Sequence, residues 1–241
     1  MKTIGLIGGM SWESSAEYYR LINQGVARRL GGYHSARILL LSVDFADIEA
    51  LQQQGRWEDA ATLMVQAARQ LERGGADCIV LCTNTMHRMA NAIQQAVTIP
   101  FLHIADATGE RIREQGLTTV GLLATRFTME QEFYRVHLEE RYGLTILIPD
   151  GEERQVIHQI IYDELVHGTI LPASRDAYRR ALAALAARGA QGIILGCTEI
   201  MLLVGQADSP VPVFDTTTIH AEAAIHFALS ADACSDTPPV Q

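Results

Sequence analysis

Residues Gly75-Ala-Asp-Cys-Ile-Val-Leu-Cys-Thr83 return 114 positions later as Gly189-Ala-Gln-Gly-Ile-Ile-Leu-Gly-Cys197. Two further matches flank this pair. Lys2-Thr-Ile-Gly-Leu-Ile-Gly8 matches Thr118-Thr-Val-Gly-Leu-Leu-Ala124 at an offset of 116, and Ile99-Pro-Phe101 matches Val211-Pro-Val213 at an offset of 112. One match of this kind carries little, because buried strands resemble one another. Three in the same order at nearly constant offset indicate two homologous half-chains, each a four-stranded α/β unit.

The segments around the repeats fit that reading. Short runs rich in Ile, Val and Leu fall at 3–7, 36–43, 78–81, 99–104, 119–124, 145–148, 192–195 and 211–214. Several are apolar throughout, as expected of strands covered on both faces of a parallel sheet. Between them, 58–73, 155–167 and 175–188 carry apolar residues three and four apart, the helical spacing. Strand and helix alternate along the whole chain, so the expected class is α/β, with two pseudosymmetric doubly wound parallel sheets. The expected division is 1–104 plus 215–230 for the first domain and 105–214 for the second. A small, polar, Pro-containing tail at 231–241 is expected to be disordered.

Composition narrows the function. The chain has 241 residues and a formal charge of −9, from 28 acidic against 19 basic side chains. No Lys/Arg block offsets this, which argues against nucleic acid or an anionic membrane as a partner. No apolar run approaches the roughly 18 residues of a membrane helix, and Gly8-Gly9 leads into Trp12-Glu13 rather than a leader cleavage site. The four cysteines, at 78, 82, 197 and 234, form no CxxC pair. They are expected to be reduced thiols in a cytoplasmic protein. No HExxH or clustered His/Asp spacing suggests a metal, and the Gly5–Met10 turn lacks the third glycine of GxGxxG and the lysine of a P-loop.

Ligands of such sheets sit outside the carboxyl ends of the strands. There the repeat places two polar clusters, Cys82-Thr83-Asn84-Thr85-Met86-His87 and Gly196-Cys197-Thr198-Glu199. A helix-like stretch follows each, so unpaired N–H groups are expected to favour an anion and to lower a thiol's pKa. Cys197 is the candidate reactive thiol. Cys78 lies inside a strand and reads as core, the usual fate of a free cysteine, and Cys234 lies in the tail. Asn84, Thr85 and Thr198 serve either as helix caps or as substrate contacts, two roles that are compatible at one junction.

The N-T-x-H segment ending the third strand, together with G-C-T-E in the second half, resembles the aspartate/glutamate racemase superfamily. The opening Gly8-Gly9-Met10-Ser11-Trp12-Glu13-Ser14 is similar to its amino-acid racemase branch, and the likeness runs from residue 3 to residue 227, including the segment Ile161-Tyr162-x-Glu-Leu-x-x-Gly168. The resemblance implies two pseudosymmetric domains with the active site between them, no pyridoxal phosphate, no other cofactor, no metal and a homodimer. It implies a small amino acid as substrate, with aspartate or glutamate first. In that family two cysteines on opposite faces exchange the α-proton, one as base and one as acid, which suits inversion at carbon.

This chain departs from the pattern. Asn84-Thr85 align with the family's C-N-T, which puts Thr83 at the first catalytic position, and the internal repeat independently pairs Thr83 with Cys197. Cys82 lies one residue early, and alternate strand residues face opposite ways, so Cys82 is expected to point away from the cleft. The expected catalytic pair is Cys197 with Thr83 on the opposite face. Since the family's second-half cysteine works on the L-enantiomer, a preference for L-amino acids follows. By family position Met10, Ser11 and Gln52 contact substrate, Thr125 occupies the strand end equivalent to Met10-Ser11 in the second half, and His167 falls where relatives carry a basic residue, or else caps a helix before Gly168. Glu199 and His87 stand where they can orient neighbouring groups. Arg56, Arg126 and His167 are the candidate cations for an acidic side chain. Two other readings stay open: a single-cysteine decarboxylase or isomerase of the same superfamily, and a paralogue that binds an amino acid without turning it over.

Overall fold

The computed structural model describes residues 1–230; the tail expected to be disordered, with Cys234, lies outside them. Eight strands are present among the described residues: β1 (Thr3–Gly8), β2 (Arg37–Ser42), β3 (Cys78–Leu81), β4 (Phe101–Leu102), β5 (Thr119–Ala124), β6 (Thr145–Leu147), β7 (Gly192–Gly196) and β8 (Val213–Asp215). The helices are α1 (Trp12–Leu30), α2 (Phe45–Gln53), α3 (Trp57–Arg73), α4 (Ala90–Ala96), α5 (Ile104–Glu114), α6 (Arg126–Glu130), α7 (Glu132–Tyr142), α8 (Gly151–Asp163), α9 (Pro172–Ala187), α10 (Ile200–Leu203) and α11 (Thr216–Leu229). The strands form two four-stranded sheets of orders β2-β1-β3-β4 and β6-β5-β7-β8. Every pairing is parallel. The fold is α/β in two lobes of equal topology.

The sequence repeat is a repeat of packing. Gly5 pairs with Ile79 across β1 and β3, and Gly121 pairs with Ile193 across β5 and β7. A Cβ on Gly5 would meet Ala76 Cβ at 2.8 Å and Leu71 Cβ at 3.3 Å, while one on Gly121 would meet Leu185 Cδ1 at 2.9 Å and Leu185 Cβ at 3.3 Å. In both lobes the helix before the third strand presses on a glycine of the central strand. Each of those helices exits through a left-handed glycine, Gly75 at φ 92° and Gly189 at φ 99°, a conformation that costs glycine little.

Two boundaries differ from expectation. The run 99–104 gives a strand of only two residues, because the His103 side chain caps α5 by accepting from the Ala105 N–H at 3.2 Å. The segment 155–167 is not one helix. Asp150 caps α8 early, accepting from the Glu153 N–H, and the chain tightens into a 3-10 turn at Leu165–His167 before Gly168.

The second lobe encloses one apolar cluster around Leu122, Ile194, Tyr178 and Leu182. The first lobe holds two, one on each face of its sheet. One of these contains Ala221, Ala224, Ile225 and Ala228 of α11 beside Ile4, Tyr18 and Ile22. The last helix therefore crosses from β8 to pack on the first sheet, bringing its N-terminus between the carboxyl ends of both. No described helix is long and apolar enough to cross a membrane.

Candidate active site

The third strand of each lobe ends at a common pocket. Thr83, Asn84 and Thr85 enter it from β3, and Gly196, Cys197 and Glu199 from β7. Met10, Gln52 and Phe45 close it on the first lobe's side, and Thr125, Ile161, Tyr162 and Val166 on the second's. Its free volume is about 20 Å3, room for a water molecule. A wider vestibule of about 770 Å3 adjoins it, sharing Phe45, Tyr162 and Val166 and lined further by Ser11, Trp12, His158 and His167.

Glu199 organises the sulfur. It is 2% exposed. Its Oε1 accepts from the Ser11 N–H at 3.2 Å and from the Ser11 hydroxyl at 2.9 Å, and its Oε2 accepts from the Thr198 hydroxyl and the Cys197 thiol, each at 3.0 Å. Burial first, and the Glu199 charge second, push the Cys197 thiol well above its ordinary range. This corrects the expectation of an acidified thiol. The helices after the two strands are too short to supply a strong dipole: a 3-10 turn at Thr85–Met89 and the four-residue α10. A neighbouring carboxylate outweighs them. Cys197 rests as a thiol hydrogen-bonded to Glu199.

On the opposite strand, Cys82 packs with Tyr18, Ile22 and Ala221 in the core of the first lobe. It is fully buried and does not line the pocket, and burial raises its thiol pKa strongly. Its neighbour Thr83 does line it. His87 fixes the turn between them and α4. Its Nδ1–H donates to the Thr83 carbonyl at 2.7 Å, and its Nε2 accepts from the Ile104 N–H at 3.1 Å. Burial holds His87 well below the usual histidine range, which keeps the neutral ring that this arrangement needs.

Neutral donors dominate the remaining polar wall. Gln52 donates to Met86 Sδ at 3.3 Å and accepts from the Tyr162 hydroxyl at 2.9 Å. Thr85 of one lobe and Thr125 of the other lie 2.9 Å apart through their hydroxyls, with Thr128 at 3.3 Å from each. Asn84 Oδ1 is buried without a hydrogen-bond partner.

Of the residues singled out from sequence, Cys197, Thr83, Met10, Gln52, Asn84, Thr85, Thr125 and Glu199 meet in the pocket. Ser11 and Thr198 stand behind Glu199 as its donors. His167 is exposed and lines the vestibule instead. Neither Arg56, which pairs with Asp59 at the surface, nor Arg126 lines the pocket. Phe45 and Val166 were not singled out. Ile161 and Tyr162 belong to a segment that carries part of the family likeness, but no role at the site was assigned to them; they follow the core residues Ile157 and Ile160 on α8.

Among the described residues, His103, Asp106 and His137 bring ligand atoms within 4.8 Å of one another. The two imidazoles are stacked, 4.4 Å apart and 7° from parallel. A metal lies in the plane of each ring that ligates it, so these rings as they stand cannot share one. His137 Nε2 is instead 2.6 Å from Asp106.

Comparison with known proteins agrees with this architecture. Residues 7–224 match the family model described as Asp/Glu/Hydantoin racemase. A Yersinia pestis protein solved as a candidate Asp/Glu racemase is 56% identical, with a TM-score of 0.89 over 95% of this chain and 100% of that one. An aspartate racemase homologue from Pyrococcus horikoshii is 35% identical, with a TM-score of 0.81 over 95% of this chain and 100% of that one. The broad specificity amino-acid racemase RacX of Bacillus subtilis is 25% identical over 169 residues, 67% of this chain and 69% of that one. The chain belongs to the Asp/Glu/hydantoin racemase family.

Proposed function

We infer that the protein is a cofactor-independent amino-acid racemase of the aspartate/glutamate type that prefers the L-enantiomer. The observation that carries this reading is the meeting of Cys197 and Thr83 in one pocket, from pseudo-equivalent strand ends, with a carboxylate on the sulfur. The substrate's α-ammonium donates to Asn84 Oδ1. Its positive charge also opposes the Glu199 field, which makes the thiolate accessible once substrate is bound. The thiol proton passes to Glu199, and the thiolate takes the α-hydrogen of the L-enantiomer. The carbon regains a proton on its other face from the Thr83 hydroxyl, or from a water that Thr83 orients; Thr83 is reprotonated from solvent and Glu199 returns its proton to solvent, which restores the thiol–carboxylate pair. The amide and hydroxyl donors of Gln52, Thr85 and Thr125 receive the carboxylates, and the apolar wall keeps bulk water from the carbanion. The working form is a homodimer with reduced thiols, as in the cytoplasm.

The test is a chiral assay of both enantiomers of aspartate, glutamate and neutral amino acids in deuterated water. Wild type should exchange the α-hydrogen of an L-amino acid without loss of mass, and Cys197→Ala should lose at least about a thousandfold in rate. Loss of CO2 from a malonate-type acid would replace this reading with a decarboxylase. Binding without exchange would replace it with an amino-acid-binding protein.

A further inference from the structure

Thr216, the first residue of α11, has no exposed surface. Its hydroxyl donates to the Leu195 carbonyl of β7 at 2.8 Å, two residues before Cys197. A hydroxyl has one proton. With that proton committed, the Thr216 oxygen can only accept, and it accepts from Asn84 Nδ2 at 3.1 Å. The Asn84 carboxamide is thereby fixed one way round. Its NH2 faces Thr216, and its Oδ1 remains a buried acceptor without a hydrogen-bond partner in a residue that lines the pocket.

A buried acceptor without a donor is unfavourable to maintain, and an ammonium group with three N–H donors answers it. Thr217 and Thr218 occupy adjacent positions but do other work: Thr217 donates to the Thr198 carbonyl, and Thr218 bonds to Asp215. We propose that Thr216 is a positioning residue for catalysis. It ties the end of β3, which leads into Thr83 and Asn84, to β7, which leads into Cys197, and holds the Asn84 oxygen toward the substrate's ammonium. The identity of that donor rests on the racemase reading; the fixed orientation of Asn84 does not.

Thr216→Val keeps the shape and removes the hydroxyl, whereas Thr216→Ser keeps the hydroxyl. Thr216→Val should raise KM for the L-substrate about tenfold or more while changing kcat less than about threefold, and Thr216→Ser should stay within about twofold of wild type. In an Asn84→Ala background, Thr216→Val should add less than about twofold, because its partner is already gone. Losses that multiply in the double variant, or equal losses in the Ser and Val variants, overturn the proposal. A second measurement needs no activity. The side-chain NH2 of Asn84 should exchange slowly with solvent by NMR in wild type and Thr216→Ser, and faster in Thr216→Val. Fast exchange in wild type overturns the proposal even if the Val variant does not fold. Slow exchange in a wild type that racemises no amino acid would sink the racemase reading and leave the Thr216–Asn84 tie standing.

Discussion

In the first lobe, Leu71 of the helix before the third strand and Ala76 of the turn that follows it press onto Gly5; in the second, Leu185 of the corresponding helix presses onto Gly121. Follow either third strand to its carboxyl end and the likeness stops. One leads into Cys82-Thr83, with the sulfur in the core and a hydroxyl at the pocket. The other leads into Gly196-Cys197, with the sulfur at the pocket and a carboxylate on it. Packing constrains every atom of a core position, and so the duplicated scaffold stayed alike. The strand ends face the pocket, where exchanging a thiol for a hydroxyl changes chemistry without disturbing the sheet. The lesson is that a duplicated frame presents two chemically unlike ends to one pocket, and the proposed asymmetry of reaction rests on that difference.

The largest expected effect breaks the Cys197 side of this comparison. Glu199→Gln removes the charge that opposes thiolate formation and also the acceptor for the thiol proton. Because Glu199 raises the thiol pKa, the titration of Cys197, followed by thiolate absorbance, should move to lower pH in the variant. Turnover should nonetheless fall by about a hundredfold, the scale of a lost acid–base partner. In wild type, kcat/KM for the L-substrate should stay level through neutrality, because the thiol proton moves within the enzyme to Glu199 and the raised thiol pKa keeps that proton on the pair over this range. A variant thiol that titrates higher than wild type would refute the role assigned to Glu199.

The next prediction restores the symmetry. Thr83→Cys gives the opposite face a thiol, and its rate on the D-enantiomer should rise about tenfold or more, read in the same chiral assay. A flat D-rate would mean that Thr83 is not the opposing group.

A smaller effect probes the shared frame. Gly5→Ala places a Cβ 2.8 Å from the Ala76 Cβ and 2.9 Å from the Cys78 carbonyl, neither of which can swing aside. Gly121→Ala meets chiefly the end of the Leu185 side chain, which can. Gly5→Ala should cost about 1–3 kcal/mol and Gly121→Ala less, measured by urea unfolding. Equal losses would show that the two lobes absorb overpacking alike.

The smallest effect concerns Cys82. Cys82→Ala trims a core side chain away from the pocket, so kcat/KM should stay within about twofold while Tm falls modestly. A large loss of rate would bring Cys82 back into the chemistry.

These contrasts also explain how far the sequence could be read. The repeat exposed both lobes because Gly5 and Gly121 answer to close packing and Gly75 and Gly189 to backbone geometry, and both demands leave a fixed mark on residue type. The polar cluster around Cys197 was legible because thiol, hydroxyl and carboxylate at a strand end have few other uses. The thiol's resting state was not legible, since it depends on the length of α10 and on which way Glu199 turns. The family likeness picks out Tyr162 but not its role, because its hydroxyl reaches Gln52 across 110 positions of chain, and periodicity carries no information at that distance. For His167 the sequence left two readings open, a substrate contact and the end of a turn before Gly168; it does end that turn, and it lines the outer chamber.

The chamber beside the sulfur shares Phe45, Tyr162 and Val166 with the much wider one outside it. These three side chains form the sill between the two spaces, and Tyr162 is pinned there by its hydroxyl on Gln52. A sill of two rings and a valine carries no charge, so it sorts newcomers by bulk and leaves any sorting by charge to the groups farther in.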